Sequence, residues 1–356
     1  MIGTRPRLLL ATAVTTAALL TTSCSVRTGS EESGSDATTV TLMTHDSFAL
    51  PDELLAEFEE RSGMTLEVVR SGDAGSLTNQ LVLSKDQPVG DVVFGLDNTF
   101  ASRAVDAGVL AEYLSVELPG SGGEYVLDGE GSELLTPVSW GDVCVNVDVD
   151  WFAAEGIEPP QTLDDLVDPR YEDLFVTPGA STSSPGFAFL LATIGRYGED
   201  GWQDYWSDLM ANGARIVSGW SDAYEVDFTA GGGDGDRPIV LSYNSSPPFT
   251  IPEGEQRPTT RALLDTCFRQ VEYAGVLAGS DNAEGAAELV DFMTSPSFQA
   301  ALPDSMYVFP VDDEVALPPL WARWAEPAPA PIDVPPAEIA ENRDDWLREW
   351  SDVTAR

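Results

Sequence analysis

Basic residues are scarce in this 356-residue chain, which has 18 Lys and Arg against 60 Asp and Glu and a formal net charge of −42. Lys85 is its one lysine. A surface this acidic repels nucleic acids and anionic membranes, so the composition argues strongly against DNA or RNA as a partner. Solubility in a saline or cell-wall environment explains the overall negative charge better than a ligand-binding role does.

Histidine and cysteine are also scarce, with one His and three Cys. Two exported thiols and one imidazole make a poor zinc set, and we expect neither a metal nor a cofactor. Serine is abundant, but no oriented Ser-His-Asp arrangement with an oxyanion site can be placed on the sequence. The sequence therefore favours a binding protein over an enzyme.

Long apolar runs are few, and the run at residues 8–20 is shorter than the roughly 20 residues that a membrane-spanning helix needs. Arg5 and Arg7 precede it and small residues follow up to Cys24, which is the pattern of an export signal. We predict a signal peptide over residues 1–24. Residues 25–38 are rich in Ser, Gly, Thr and Glu and are predicted to be a flexible tether.

The segment LLTTSC at 19–24 resembles the lipobox of bacterial lipoproteins, in which the cysteine is acylated and becomes the new N-terminus. The resemblance implies that Cys24 is lipidated and holds the protein on the outer face of the cell membrane. Thr21 stands where that family prefers Leu. The alternative is a plain signal peptide with an incidental cysteine.

Strand-like and helix-like segments alternate from Thr39 onward, which indicates an α/β fold with a parallel sheet. The length allows two domains. The segments WGDVCVNVD and FRQVEYAGVLAG are expected to cross between two lobes, with the first lobe over 39–143, the second over 144–268, and a return to the first over 269–356. The pattern AEIAENRDDWLREW predicts a docking helix near the C-terminus.

Cys144 and Cys267 lie at these expected crossings. In an oxidising compartment an even pair of cysteines is more often a disulfide than a metal site. We predict that they are bonded, with Cα atoms within about 7 Å of each other.

Asp46, Asp73 and Asp97 follow the first three predicted strands. Ligands of open α/β sheets sit beyond the carboxyl ends of the strands, so three carboxylates there could converge on a cation. Asp also caps helices in ordinary strand-to-helix turns. For any one of the three, capping and ligand contact are about equally favoured, and the set of three favours the ligand.

Ser184 and Pro185 are expected to cap and begin a helix, whose N-terminus attracts anions. Two further predicted strands, ARIVSGWSDAY and RPIVLSYNSSPPF, end in Trp220, Tyr224 and Tyr243. Aromatic rings in an acidic cleft suit a flat cation. For Trp202, Tyr205 and Trp206, core packing is favoured instead.

Several spaced segments together resemble the thiamine-binding proteins of bacterial ABC importers. They are THDSF (44–48), DVVFGLDN (91–98), TSSPG (182–186), GWSDAY (219–224), VLSYNSSP (240–247), QVEYAG (270–275), DFMTSPSFQ (291–299) and YVFPV (307–311). The resemblance implies a type II periplasmic-binding-protein fold, with two α/β lobes that close on thiamine or its phosphates, and a monomer that delivers its ligand to the permease. Combining the residues with the resemblance, the expected ligand-binding set is His45, Asp46, Ser47, Asp73, Asp97, Trp140, Ser183, Ser184, Trp220, Tyr224, Tyr243 and Tyr307.

Within that resemblance, Asp46 lies beside the ligand, Trp220 and Tyr243 form aromatic walls, and Ser183 with Ser184 lies near any phosphate. Two positions depart from the family pattern. His45 replaces a tyrosine, and Tyr307 replaces a tryptophan. A binding protein of the same fold for a polyamine, ferric iron or an aminophosphonate is the alternative; no adjacent tyrosine pair of the iron-binding kind is present.

Overall fold

The computed structural model describes residues 38–355, so the predicted signal peptide, the tether and Cys24 lie outside the described residues. The strands occupy β1 Thr39–Thr44, β2 Thr65–Arg70, β3 Val92–Asp97, β4 Thr136–Asp148, β5 Phe175–Pro178, β6 Arg215–Val217, β7 Ile239–Tyr243, β8 Thr260–Ala262, β9 Phe268–Val276 and β10 Phe309–Pro310. The α-helices occupy α1 Asp52–Ser62, α2 Ala74–Leu83, α3 Ala101–Ala107, α4 Val149–Glu155, α5 Ser184–Tyr197, α6 Trp202–Ala211, α7 Ala283–Met293, α8 Pro296–Met306, α9 Pro319–Trp324 and α10 Pro336–Thr354. Short 3₁₀ helices occupy Gly120–Tyr125, Asp164–Val167, Pro169–Tyr171, Pro247–Thr250 and Leu264–Thr266, and a wide helical turn occupies Asp222–Asp227.

The strands form one mixed sheet in the order β2-β1-β3-β9-β4-β7-β5-β6, with β8 and β10 each paired to β4. At one end β1 pairs in parallel with β2 and β3, and at the other β5 pairs in parallel with β6 and β7. These two parallel groups are the sheets of the two lobes, and they confirm the parallel pairing that the strand-helix alternation predicts.

The long strands β4 and β9 run antiparallel to each other at the centre of the sheet. The two segments that were predicted to cross between the lobes form these strands. The predicted lobe boundaries, 143/144 and 268/269, fall within them. Those boundaries stay predictions, because each strand continues from one lobe into the other.

Each lobe has its own apolar core. In the first lobe, β1 and β3 pack against α1, α7 and α8, with Phe58 and Phe94 fully buried. In the second, α5 and α6 cover the sheet, and Trp202 and Trp206 are fully buried there. Tyr205 lies beside them, so the assignment of all three aromatics to the core is confirmed.

The C-terminal helix α10 docks as its apolar pattern predicts, but its partner differs from the predicted domain organisation. Ile339, Trp346 and Trp350 are buried in the core of the second lobe, not the first. Trp350 meets Trp206 of α6 edge to face, with ring centroids 5.6 Å apart. The helical pattern identifies the apolar face, whereas the surface that receives it is formed by α6.

Cys144 and Cys267 form a disulfide, and their Cα atoms are 4.2 Å apart. Both are fully buried, and Ala328 of the Pro-rich stretch packs against them. Cys144 lies in β4 and Cys267 directly precedes β9, so the bond clamps the crossing strands together. Across residues 38–355, none of the helices combines the length and apolar character that a membrane span requires.

Candidate ligand-binding site

A cavity of about 220 Å³ lies between the two lobes. The first lobe contributes the loop after β1, the start of α2 and the chain around the end of α8, and the second contributes the start of α5, the wide helical turn and the end of β7. The residues that line it are His45, Asp46, Ser47, Ala49, Asp73, Ala74, Ser184, Pro185, Trp220, Ser221, Glu225, Tyr243, Gln270, Glu272, Ser305, Met306, Tyr307 and Val308. Eight residues of the expected ligand-binding set are therefore brought together here.

The lining is strongly acidic. It includes Asp46, Asp73, Glu225 and Glu272, and none of its described residues is Lys or Arg. His45 is the one lining side chain able to carry a positive charge. A cavity with this charge attracts cations and disfavours anions.

Asp73 serves as a cap and as a link between the lobes. Its Oδ1 accepts a hydrogen bond from the Ala74 amide at 2.7 Å, which caps α2, and its Oδ2 accepts one from the Trp220 amide at 3.0 Å. Capping and cavity lining, which the sequence left as alternatives, therefore occur in the same side chain. The second bond ties the first lobe to the aromatic wall of the second.

Glu272 lies on β9, and its side chain is held in place from two sides. Its Oε2 accepts a hydrogen bond from the Ser139 hydroxyl at 2.7 Å, and its Oε1 lies 3.5 Å from Nε2 of His45. Gly95 makes room for the imidazole, because it has φ +101° and a Cβ there would lie 2.3 Å from Cδ2 of His45. Gly95, which begins the GLDN segment, thus leaves the space that the His45 ring occupies beside the cavity.

Trp220 forms the aromatic wall on the second lobe. It is 8% exposed and stacks on Tyr224, with centroids 5.0 Å apart and planes 12° apart. Its indole N–H donates to Oγ of Ser242 at 2.9 Å. The ring of Tyr307 meets it edge to face at 6.3 Å. These contacts fix the orientation of the indole before a ligand arrives.

Tyr243 lies between the aromatic wall and the carboxylates. Burial raises the pKa of its phenol well above the usual value, and the nearby charges of Glu272, Asp73 and Asp97 raise it further. Nε2 of Gln270 donates to the phenol oxygen at 3.2 Å. Tyr243 is therefore a neutral ring in an anionic setting.

Tyr307 ends α8 in the left-handed region, with φ +61°. This conformation costs a non-glycine residue about 1–3 kcal/mol, so the surrounding contacts must hold it. Its carbonyl accepts a hydrogen bond from the Ser245 hydroxyl, and its ring packs on Phe249. A strained residue whose ring lines the cavity is a feature of binding sites.

Four residues of the expected ligand-binding set do not line the cavity. Asp97 is fully buried, and its Oδ1 accepts bonds from the amides of Thr99 and Phe100 and from the Thr99 hydroxyl. Burial raises the pKa of this carboxyl to about 6. Asp97 caps the turn before α3, so for this strand end the capping interpretation is correct.

Trp140, Ser183 and Tyr224 are the other three. Trp140 is stacked against Phe309 at 4.4 Å and donates its indole N–H to the Pro310 carbonyl. Ser183, rather than Ser184, is the N-cap of α5, and its Oγ accepts from the Gly186 amide.

Tyr224 lies behind Trp220, because the chain after β6 turns into a helical turn instead of continuing as the predicted strand. That strand prediction was wrong beyond Val217.

Sequence reasoning missed Glu225, Gln270 and Glu272 as lining residues. A signal for two of them was present, since Gln270 and Glu272 interrupt the apolar strand FRQVEYAGV. Polar residues buried at alternate positions of a central strand must find partners. Glu225 gave no comparable signal, because its place depends on the wide helical turn.

The family model for bacterial extracellular solute-binding proteins matches residues 53–330. The chain belongs to this family. A thiamine-binding periplasmic protein of Escherichia coli strain K12 is 31% identical to this solute-binding protein over 326 residues, which cover 89% of the chain and 94% of the relative. The resemblance to thiamine-binding proteins that the sequence motifs indicate is thereby confirmed.

Comparison with solved structures identifies the fold of this solute-binding protein. A periplasmic thiamin-binding protein matches with a TM-score of 0.77 and 28% identity, covering 89% of this chain and 96% of that chain. Iron-bound HitA from Pseudomonas aeruginosa matches with a TM-score of 0.67 and 21% identity, covering 89% and 99%, and shares the fold alone. The predicted two-lobed, type II α/β fold is confirmed. The family is one of solute binding.

Proposed function

We propose that this protein captures thiamine outside the cytoplasm and delivers it to the permease of an ABC importer, as a binding subunit and not as an enzyme. One observation carries the proposal: the interlobe cavity combines four carboxylates with aromatic walls and has no Lys or Arg among its described lining residues. Thiamine has a permanently charged thiazolium ring and a flat aminopyrimidine ring. Carboxylates balance the charge, and aromatic faces stack on the rings. The similar proteins described above are named as thiamine-binding, which supports the same ligand.

Within this proposal the two lobes have complementary roles. Trp220, Tyr243 and Tyr307 supply ring faces, while Asp46 and Glu272 supply negative charge. Since Asp46, Glu272 and Tyr307 belong to the first lobe and Trp220 and Tyr243 to the second, the ligand is bound most tightly when the lobes are closed.

The charges around the same cavity also bear on whether thiamine or its phosphates bind more tightly. Ser184 lines it at the start of α5, where free backbone amides favour an anion. The four carboxylates oppose a phosphate. We therefore expect thiamine itself to bind more tightly than its diphosphate, with Ser184 and the neighbouring Ser183 as the groups nearest any phosphate.

Mass spectrometry of the ligand released from purified protein tests the proposal directly, followed by calorimetric titration with thiamine, thiamine diphosphate and spermidine. Thiamine is expected in the released material and as the tightest of the three ligands. A released polyamine, or heat from spermidine and none from thiamine, would replace the proposal with the polyamine alternative. Bound ferric iron would replace it with an iron-binding function.

We further propose that the protein is a monomer tethered to the outer face of the membrane through a lipidated Cys24. The LLTTSC segment and the polar stretch after it support this. One acyl chain anchors only marginally, so more than one is expected. Cys24→Ala should abolish incorporation of labelled fatty acid and release the protein from the membrane fraction. Unlabelled wild type in the soluble fraction would contradict the tether.

A further inference from the structure

A second cavity, of about 340 Å³, shares no lining residue with the interlobe cavity. It lies beside β8 and α9, and its lining consists of Val149, Asn244, Pro247, Arg257, Pro258, Thr260, Arg261, Ala262, Leu264, Arg323, Trp324 and Glu326. Its charged residues are three arginines and one glutamate, whereas the whole chain has 18 basic against 60 acidic residues. The charge balance of the molecule is reversed among the residues that line this cavity.

Two of the three arginines are not neutralised. Arg257 is ion-paired with Asp150 at 2.9 Å. Arg261 has one weak bond, to Oε1 of Gln161 at 3.3 Å, and Arg323 lies over the ring of Trp324 at 4.9 Å. Within residues 38–355 neither of these two has a carboxylate within 4.0 Å, although most other arginines there do. Unpaired guanidinium groups in so acidic a protein are free to accept an external anion.

The same cavity has an apolar side. Trp324 is half-buried, and its indole N–H donates to the Gln256 carbonyl at 2.9 Å, which fixes the ring. Pro247 and Leu264 extend this surface. A ligand that fills the cavity therefore meets both guanidinium groups and a fixed aromatic face.

We propose that this second cavity is a binding site for a small organic anion, with a phosphate or carboxylate group attached to an aromatic or apolar portion. The planar guanidinium fork matches both oxyanions and can hold either by paired hydrogen bonds. The apolar portion of the ligand packs on Trp324 and Pro247. The ligand is thus opposite in charge to the one proposed for the interlobe cavity, and this site does not depend on that proposal.

Calorimetric titration of the full chain with phenyl phosphate, benzoate and inorganic phosphate at low ionic strength tests this site. Phenyl phosphate should bind saturably, more tightly than inorganic phosphate, and more weakly as salt is added, because exposed charges are screened within about 8 Å at physiological ionic strength. Comparison with benzoate distinguishes a phosphate ligand from a carboxylate. The double variant Arg261→Gln/Arg323→Gln should weaken the binding of the tighter probe at least about tenfold.

Both arginines are exposed, so the double variant should unfold at the wild-type temperature, and a loss of binding is then not a loss of fold. Arg196→Gln removes an exposed arginine from α5 and Trp220→Ala alters the interlobe cavity; both should bind the probe like wild type. Trp324→Ala should abolish the preference for phenyl phosphate over inorganic phosphate.

The proposal is overturned by no saturable binding of any of the three probes, by binding that the double variant retains, or by an equal loss in Arg196→Gln. Equal affinity for phenyl and inorganic phosphate would overturn the apolar part of the ligand.

Discussion

At the residue scale, Trp220 connects the main features of the interlobe site. Its backbone amide is bound by Asp73, its ring is fixed by Ser242 and Tyr224, and its edge meets Tyr307. Because the ring is already held in place, little side-chain conformational entropy is lost when a flat ligand binds. It is therefore the side chain on which affinity should depend most.

Trp220→Ala should weaken thiamine binding by well over tenfold, because a cation–π contact in a desolvated site contributes about 2 kcal/mol and tenfold corresponds to about 1.4 kcal/mol. Trp324→Ala, which removes a tryptophan from outside the cleft, is the matched control and should bind thiamine like wild type. Calorimetric titration measures both. Equal losses in the two variants, with unchanged thermal unfolding, would refute the assignment of this wall.

Asp97 should make stability depend on pH. Burial raises its pKa from 3.8 to about 6, so the folded state holds the proton more tightly than the unfolded state does. The resulting stabilisation is fully present below about pH 4 and is lost as the pH rises through about 6. Asp97→Asn stays neutral, so relative to wild type it should gain on the order of 3 kcal/mol between about pH 4 and pH 8.

Urea unfolding of wild type and Asp97→Asn at several pH values measures this gain. Asp352→Asn, at an exposed position of α10, is the control and should follow the wild-type profile. Parallel profiles for wild type and Asp97→Asn would show that Asp97 is ionised in the folded state at acidic pH.

The two aspartates Asp73 and Asp97 show how far residue-level reasoning reaches. Both follow strands and both cap the next turn, as the sequence allowed. Only Asp73 also lines the cavity, because its second oxygen faces Trp220 of the other lobe. Nothing local distinguishes them, since the partner of Asp73 is 147 residues away in the sequence.

At the element scale, the start of α2 in the first lobe is hydrogen-bonded directly to the second lobe. The amides of Gly75 and Ser76 both donate to the Thr182 carbonyl, at 3.1 and 3.3 Å. A Cβ at Gly75 would lie 2.7 Å from the carbonyl carbon of Thr182. This glycine is therefore required for the lobes to meet, and not for the helix itself.

Gly75→Ala should weaken thiamine binding by about tenfold or more, through faster dissociation, because the added methyl group opposes closure while each lobe remains folded. Gly123→Ala is the matched control, since a Cβ there has no neighbour within 4 Å. Stopped-flow dissociation rates and thermal unfolding temperatures separate the two effects. Unchanged dissociation in Gly75→Ala would show that this contact does not limit closure.

Element prediction succeeded where the pattern was local. Strands and helices alternate from Thr39 onward as predicted, and α5 begins at Ser184. It failed after β6, because the segment GWSDAY folds as a helical turn that buries Trp220 and Tyr224 together. Those two rings are four residues apart and stack within the turn, and their burial against Val176 and Val240 of the sheet overrides the local strand propensity.

At the scale of the whole molecule, the disulfide closes a loop of 123 residues that contains most of the second lobe. Cys144→Ala/Cys267→Ala should lower the free energy of unfolding by about 2–5 kcal/mol, because the unfolded chain regains the entropy of that loop. Urea unfolding with and without reductant measures the change. Reductant should destabilise the wild type only, and a wild type insensitive to full reduction under denaturing conditions would contradict the prediction.

Arg343 of α10 is a contact that no local pattern predicts. Its guanidinium lies over the rings of Phe100 and Phe187, at 4.8 and 5.5 Å, and these rings come from the two different lobes. The helix thus packs on the second lobe and also contacts α3 of the first, in part through Arg343. Its amphipathic pattern was sufficient to predict docking, but not this position.

Patterns along the chain were sufficient to predict the fold class, the bond between the two cysteines and the acidic, aromatic character of the cavity. Each of these depends on periodicity, composition or spaced motifs that are present along the chain. Tertiary structure alone decided that Glu272 and Glu225 join the cavity, that Asp97 and Trp140 do not, and that unpaired arginines gather beside Trp324. The physical reason is that each of these outcomes depends on contacts between segments far apart in sequence, whose geometry only the packed sheet and lobes define.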